Sequence, residues 1–457
     1  MVAQSATEPL LIASQRTIMT VRLIDQPRYV CALGAMQSVQ AIHRGVPVLH
    51  AGPGCAAKLA IGIAGSNGDS GYISPHVYPC SNVSENETVF GGEDKLRDTI
   101  ANALKVVDGD IYVVLSGCTT ELIGDDIGNV VGQFSAADKP VIFVATPGFK
   151  GTNLEGHEWV VNAIIEQYLV PRGRKATKRG LVNIWGPVPS YDPFWIGNIR
   201  ELEQLIYDLG LVPNTIFGEQ RGLENINRIP EAEANLLVSP WLGLSTVKLL
   251  QTHFDTPYLH LPTYPVGAHE TTRFLRTVSE RLGVDAKLTQ RVIERNEAEY
   301  YYHIERTSDV FLENRTMSRR FTTVSNAADT LALSRFLTND FGLVPGTQYI
   351  TDSTPPHHQT AVAKYFEDFS YGIQAPVVFS TDGYQIHQSI RKEEYYGPPL
   401  LVGSIFEKKL AEELSGNFLA VSVPIKERLV LASSYVGYRG GLKLLEDIYG
   451  YVLRKFN

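Results

Sequence analysis

The chain repeats a six-residue helix stop at two distant points, and this repeat narrows its possible folds more than any other feature. Gly210-Leu-Val-Pro-Asn-Thr215 follows an apolar helical stretch over residues 199–209, and Gly342-Leu-Val-Pro-Gly-Thr347 follows another over 327–341. Glycine just past a helix takes the left-handed turn that ends it, and a proline soon after cannot continue it. Apolar residues come next, Ile216-Phe217 in one copy and Gln348-Tyr-Ile350 in the other, and read as strand starts. Helix, stop and strand occurring twice imply repeated strand–helix–strand units and therefore parallel sheets.

The rest of the chain alternates in the same way. Segments 46–49, 110–115 and 141–145 read as strands, with an amphipathic helix over 94–107 between the first two. Asp110-Ile-Tyr-Val-Val-Leu115 is nearly all apolar, as in a parallel sheet covered on both faces. Segments 181–185, 234–239 and 258–261 supply a second set of strands, and 321–325, 375–379 and 400–402 a third, closed by a helix over 440–453. The basic run 171–179 reads as a solvated hinge, residues 1 to about 25 as a poorly ordered arm, and 62–74 as irregular. The expected architecture is α/β, three Rossmann-like doubly wound domains with parallel sheets, over residues 1–176, 177–305 and 306–457.

The formal charge is −8, from 41 basic and 49 acidic residues, and no basic stripe offsets it, so no nucleic-acid or anionic-membrane partner is expected. No apolar run approaches the roughly 18 residues of a membrane span. Glu8, Arg16, Arg22 and Asp25 interrupt any secretory pattern, so the cytoplasm is the expected compartment. Thiols stay reduced there, and clustered ones bind metal or do redox work. No dinucleotide fingerprint or Walker A motif is present, so neither NAD nor ATP is expected on this chain.

All four cysteines, Cys31, Cys55, Cys80 and Cys118, lie in the first domain, and three stand beside loop formers: Gly-Pro-Gly-Cys55, Pro79-Cys80 and Ser-Gly-Cys118. A cysteine used only for packing belongs inside an apolar strand or helix. Thiols in loops at one end of one domain suit metal ligation instead. Their wide spacings do not match a zinc ribbon and suit a larger soft-metal object, an iron–sulfur cluster, which a second chain could complete.

Gly54-Cys55, Cys80-Ser-Asn-Val-Ser-Glu-Asn-Glu-Thr-Val-Phe-Gly-Gly92 and Gly117-Cys-Thr-Thr-Glu-Leu-Ile-Gly-Asp-Asp126 resemble the cluster-ligating motifs of the nitrogenase component 1 family. Thr146-Pro-Gly-Phe-Lys-Gly151, Ser239-Pro-Trp241, Leu261-Pro-Thr-Tyr-Pro-Val-Gly267 and Tyr435-Val-Gly-Tyr-Arg-Gly-Gly441 extend the likeness along most of the chain. The resemblance implies three Rossmann-like domains and an oxidoreductase complex. No cysteine follows Cys118, whereas α-type chains hold their cofactor with a mid-chain cysteine and a late histidine, so this chain resembles the β-type (K) subunit.

That likeness implies that Cys55, Cys80 and Cys118 ligate an iron–sulfur cluster shared with an α-type (D) subunit, either an 8Fe-7S, P-cluster-like centre or a 4Fe-4S cluster. It also implies an α2β2 heterotetramer served by an ATP-dependent iron–sulfur reductase, the H-type Fe protein. Cys31 joins the cofactor-binding residues with two roles open. Its Cys-Ala-Leu-Gly context resembles a cysteine that β subunits carry without using as a ligand, while its 24-residue gap to Cys55 approximates the first ligand spacing of α subunits.

Three departures stand out: Gly148 where nitrogenase β subunits have a serine, Gly-Pro-Gly-Cys55 in place of Gly-Gln-Gly-Cys, and a shorter N-terminal region. They point to a nitrogenase-like reductase, most similar to the K subunit of methylthio-alkane reductases, which cleave C–S bonds and release methanethiol and a hydrocarbon. An N-type cofactor-assembly scaffold and a β subunit of a dinitrogen-reducing enzyme are the alternatives. No catalytic residue is expected on this chain. Asp125 and Asp126 read as helix caps, His357-His358 as a solvated pair, His387 as no cofactor ligand, and Trp185, Trp195 and Trp241 as core or interface aromatics.

Overall fold

The computed structural model describes residues 26, 28–64, 78–313 and 318–454. The expected N-terminal arm and most of the expected irregular segment at 62–74 lie outside them, while residues 62–64 belong to the Pro53–Ala64 helix. Among the described residues, every named strand pair is parallel.

The first sheet is β1 (Gly45–His50), β2 (Ile111–Ser116) and β3 (Val141–Val144), in that order. The central strand β2 is buried at every position, which explains its unbroken apolar run. Burial of each of Ile111, Tyr112, Val113, Val114 and Leu115 is worth about 1.5–3 kcal/mol. All three strands run the same way, so their C-terminal ends gather the loops after His50, Ser116 and Val144 at one edge.

The second sheet contains β4 (Lys178–Trp185), β5 (Val212–Asn214), β6 (Ala232–Val238) and β7 (Tyr258–Leu261), in the order β5-β4-β6-β7. The third contains β8 (Arg320–Ser325), β9 (Val344–Pro345), β10 (Gln348–Ile350), β11 (Val377–Phe379), β12 (Leu400–Gly403) and β13 (Asn417–Ala420), in the order β11-β10-β8-β12-β13 with β9 paired to β8. In both sheets the chain leaves one side of a central strand and returns on the other, creating the crevice where open α/β sheets bind ligands.

The repeated helix stop builds the same unit twice. Gly210 and Gly342 take left-handed φ values of 76° and 66°, and the next residues, Leu211 and Leu343, are buried. The returning strand begins inside the motif, earlier than expected in the first copy: Val212-Pro-Asn214 pairs with β4, and Val344-Pro345 pairs with β8. Ile216-Phe217 is buried but lies in no strand. The proline is tolerated because β5 is an edge strand. The expected hinge is shorter than 171–179, since β4 already starts at Lys178.

One hydrophobic core joins the second and third sheets, running from Val182 and Leu236 through Val266 and Phe274 to Phe321, Leu401 and Ile448. The Ala286–Glu313 helix crosses the expected division at 305/306. The Gly437–Arg454 helix packs back on the Gly267–Leu282 helix, where the Cα of Gly267 lies 2.6 Å from where Gly441 would carry a Cβ. The two late glycine motifs therefore serve close helix packing. No described helix is long and apolar enough to cross a membrane.

Candidate metal centre

The first sheet brings the cysteines to its C-terminal edge. Cys55 stands in the first turn of the Pro53–Ala64 helix that follows β1, and Cys118 opens the Cys118–Ile123 helix directly after β2. Both were expected in loops, yet the Gly-Pro-Gly and Ser-Gly stretches prove to be tight strand-to-helix turns. Cys80 pairs with Leu49 in a parallel bridge alongside β1, and Cys31 pairs with Thr152, just beyond the loop that leaves β3.

Gly148 lies against two of the thiols. Its N–H donates to Cys118 Sγ at 3.1 Å. A Cβ built on Gly148 would sit 3.4 Å from the Sγ atoms of both Cys31 and Cys118. The loop holding it is tied to β2: Thr146 donates its N–H to the Ser116 hydroxyl at 3.0 Å and its own hydroxyl to the Ser116 carbonyl at 2.9 Å. Cys80 Sγ accepts the Asn82 N–H and donates to the Ala51 carbonyl, both at 3.4 Å.

Burial pushes the Cys31 thiol up, the N–H groups of Leu33 and Gly34 oppose the rise, and the neighbouring Cys118 and Cys55 add to it. Burial likewise raises the Cys80 thiol, the N–H of Asn82 resists, and Cys55 adds to the rise. The thiols of Cys31, Cys118, Cys55 and Cys80 are thus near enough to influence one another electrostatically. All four thiols are reduced and partly open to solvent, Cys31 and Cys55 most of all.

Two of the sequence motifs interlock behind this edge through a residue that the sequence reading missed. His50, wholly buried at the end of β1, lies 2.9 Å from the Ser81 hydroxyl through Nδ1 and 2.9 Å from Asp125 through Nε2. Burial lowers the affinity of the ring for a second proton, although Asp125 opposes that. In the neutral ring Nε2–H donates to the Asp125 carboxylate, and Nδ1 accepts from Ser81, the neighbour of Cys80. The other Asp125 oxygen accepts the Gly92 N–H at 2.9 Å. Asp126 caps the Ile127–Gly132 helix as expected, by accepting the Asn129 N–H, but Asp125 serves as this internal tie. The Ser84-Glu-Asn-Glu87 stretch starts the Glu85–Phe90 helix, with Glu87 accepting from the Ser84 N–H and hydroxyl at 2.8 and 2.6 Å.

The edge also carries uncovered apolar side chains: Val89, Phe90, Leu122 and Phe149 are 71, 82, 74 and 56% exposed. Among the described residues, no three His, Cys, Asp or Glu side chains close around a point as one bound metal ion requires. The inorganic core of an iron–sulfur cluster holds its thiolates farther apart than a single ion does. A soft, all-sulfur donor set with N–H groups aimed at sulfur, on a rim with apolar neighbours, fits such a group.

A second feature had no signal in cysteine spacing. Between the strand ends of the second and third sheets lies a small cavity lined by Gly186, Ser239, Trp241, Asp192, Asp329 and Asp352, among others. The three aspartates are buried, and burial raises each of them, Asp192 to about 8 with Asp329 as the next cause. Their oxygens are satisfied: Asp192 by the Phe194 N–H and Asn198, Asp329 by Tyr264 and Asn326, and Asp352 by Trp241 and Thr354. His387 is buried against Glu407 at 3.2 Å, and His358 packs beside Trp241 at 5.9 Å between ring centroids.

Known proteins share this architecture. The chain is 23% identical over 454 residues to the nitrogenase molybdenum-iron protein beta chain of Clostridium pasteurianum, covering 93% of this chain and 92% of that one. It is 22% identical over 389 residues to one polypeptide of the light-independent protochlorophyllide reductase of a Picosynechococcus strain, covering 80 and 72%. The solved structure described as nitrogenase Cp1 at pH 6.5 superposes with a TM-score of 0.76 at 21% identity, covering all of this chain and 95% of the other. The model of nitrogenase component 1 type oxidoreductases matches residues 31–453. From Cys31 to Leu453, in its last helix, then, the chain belongs to the nitrogenase component 1 type oxidoreductase family, as a beta-chain-like member.

Proposed function

We propose that this chain is the electron-relay subunit of a nitrogenase-like two-component reductase and holds an interfacial iron–sulfur cluster through Cys55, Cys80 and Cys118. The observation that carries the reading is the gathering of these thiols at one strand-end rim beside Val89, Phe90, Leu122 and Phe149, apolar side chains that this chain leaves bare. An α-type subunit, in an α2β2 assembly, would cover that rim and complete the ligand set. An ATP-dependent iron–sulfur reductase would donate the electrons.

When bound, the cluster supplies one-electron storage and transfer. The chain's own residues set the conditions. The Gly148 N–H donates to Cys118 Sγ and the Asn82 N–H to Cys80 Sγ, stabilising thiolate charge. The Ser81–His50–Asp125–Gly92 tie keeps Cys80 and the strand ends in register.

For the reaction, we propose reductive cleavage of small methylthio-alkanes. Two electrons and two protons convert R–S–CH3 to R–H and CH3–SH, at a cofactor in the α-type partner. Gly148 supports this branch, since glycine offers no hydroxyl ligand where nitrogenase β subunits have serine. Dinitrogen reduction is the second reading, favoured by the nitrogenase beta chains among the relatives. The assembled complex, with its reductase, MgATP and ethyl methyl sulfide, is expected to release ethane and methanethiol. Ammonia from dinitrogen without thiol release would select the second reading, and neither product would reject both.

A further inference from the structure

We propose that Cys31 is a fourth thiolate from this chain to the shared cluster, and that the bare Cα of Gly148 is what admits it. The inference rests on the cluster reading above and adds a ligand to it.

The backbone fixes Cys31 at the rim. Ala32 donates its N–H to the Gly151 carbonyl at 3.0 Å, Val30 donates to Asn153 Oδ1 at 3.1 Å, and Asn153 returns its N–H to the Val30 carbonyl at 2.9 Å. Farther back, Arg28 is buried against Ser404 and Glu407 of the third domain. Every residue from Ala32 to Ala35 is buried, yet Cys31 is exposed. A cysteine kept for packing would be the buried member of such a run. Cys31 Sγ instead lies beside Cys118 Sγ, both 3.4 Å from the point where Gly148 would carry a Cβ.

Gly148 explains how the thiol fits. A Cβ there would stand 2.7 Å from Cys31 Cβ, closer than side chains approach, and 3.4 Å from both sulfurs. Any side chain at 148 would push Cys31 off the rim. Glycine leaves the space beside Cys118 to a second sulfur, and the Gly148 N–H stays aimed at Cys118. Binding exchanges the Cys31 thiol proton for iron and consumes no oxidant or reductant.

The test uses the 57Fe-labelled complex with its partner subunit, purified anaerobically, as wild type, Cys31→Ala, Gly148→Ala and the double variant, with Cys80→Ala as control. Iron content and Mössbauer spectra are read. Cys31→Ala is expected to lose iron or to give one new quadrupole doublet. Gly148→Ala should reproduce that change, and the double variant should add nothing to it. A Cys31→Ala spectrum and iron content equal to wild type, with Cys80→Ala depleted of iron, would overturn the Cys31 assignment alone. Full iron in Cys80→Ala as well would overturn the cluster reading beneath it. Should Cys31→Ala fail to assemble, Gly148→Ala decides: an unchanged spectrum sinks the proposal, and a new doublet supports it.

Discussion

Replacing Arg28 by methionine removes the cation facing Glu407 while keeping much of the side chain's bulk. Glu407 is wholly buried and is held by Arg28, by His387 Nε2 at 3.2 Å, and by the Ser404 N–H and hydroxyl at 2.9 and 3.0 Å. Burial alone would raise this carboxyl. The Arg28 charge and the hydrogen bonds outweigh it and hold the group at about 2, against an ordinary 4.5. That gap corresponds to about 3 kcal/mol of folding free energy, within the range expected for breaking a buried pair. A depressed carboxyl contributes its stability above the ordinary value and loses it as pH falls from 4.5 toward 2. Arg28→Met should therefore destabilise the chain most at pH 7, and the difference from wild type should shrink toward pH 3. With an unfolding entropy of about 2.1 cal/mol/K per residue, the penalty lowers Tm by about 3 °C if the chain unfolds as one unit. Scanning calorimetry of both proteins at pH 7 and pH 3 measures this. An equal Tm at pH 7, or a gap that widens in acid, would refute the clamp.

Two further outcomes follow from the buried polar groups. His50→Ala removes the partner of Asp125 and Ser81 and leaves a cavity behind β1; a loss of about 2–4 kcal/mol is expected in urea unfolding, with faster hydrogen exchange at Gly92. Asp192, pushed up to about 8, has the opposite sign to Glu407: its contribution is complete below the ordinary 3.8 and is lost as pH rises through about 8. Wild type should lose more Tm between pH 5 and pH 9 than Asp192→Asn, and parallel pH profiles would contradict that assignment.

The parts of this molecule written in local chemistry were legible in the sequence. Gly210 and Gly342, each followed by Leu-Val-Pro, announced two strand–helix–strand units because a left-handed turn and a missing N–H act within a few residues. The motif did not show that Val212 already pairs with β4, since pairing depends on a partner some thirty residues earlier. The cysteines pointed to one rim because parallel strands deliver their C-terminal loops to one side. The position of Gly148 between Cys31 and Cys118, and that of His50 between Ser81 and Asp125, depend on contacts across distant loops. No periodicity encodes them. The aspartates facing the cavity lie after strands of two different sheets, and only the shared core brings them together.

The account rests on sulfur from separate loops meeting iron at the rim, and metal analysis reaches that point most directly. Iron and acid-labile sulfide should be measured in the anaerobically purified complex, for wild type and for Cys80→Ala. Substantial iron and sulfide in wild type, with a clear loss in Cys80→Ala, is the predicted result. Neither element in wild type, or the same content in both, would contradict the account and leave the fold without its proposed chemistry.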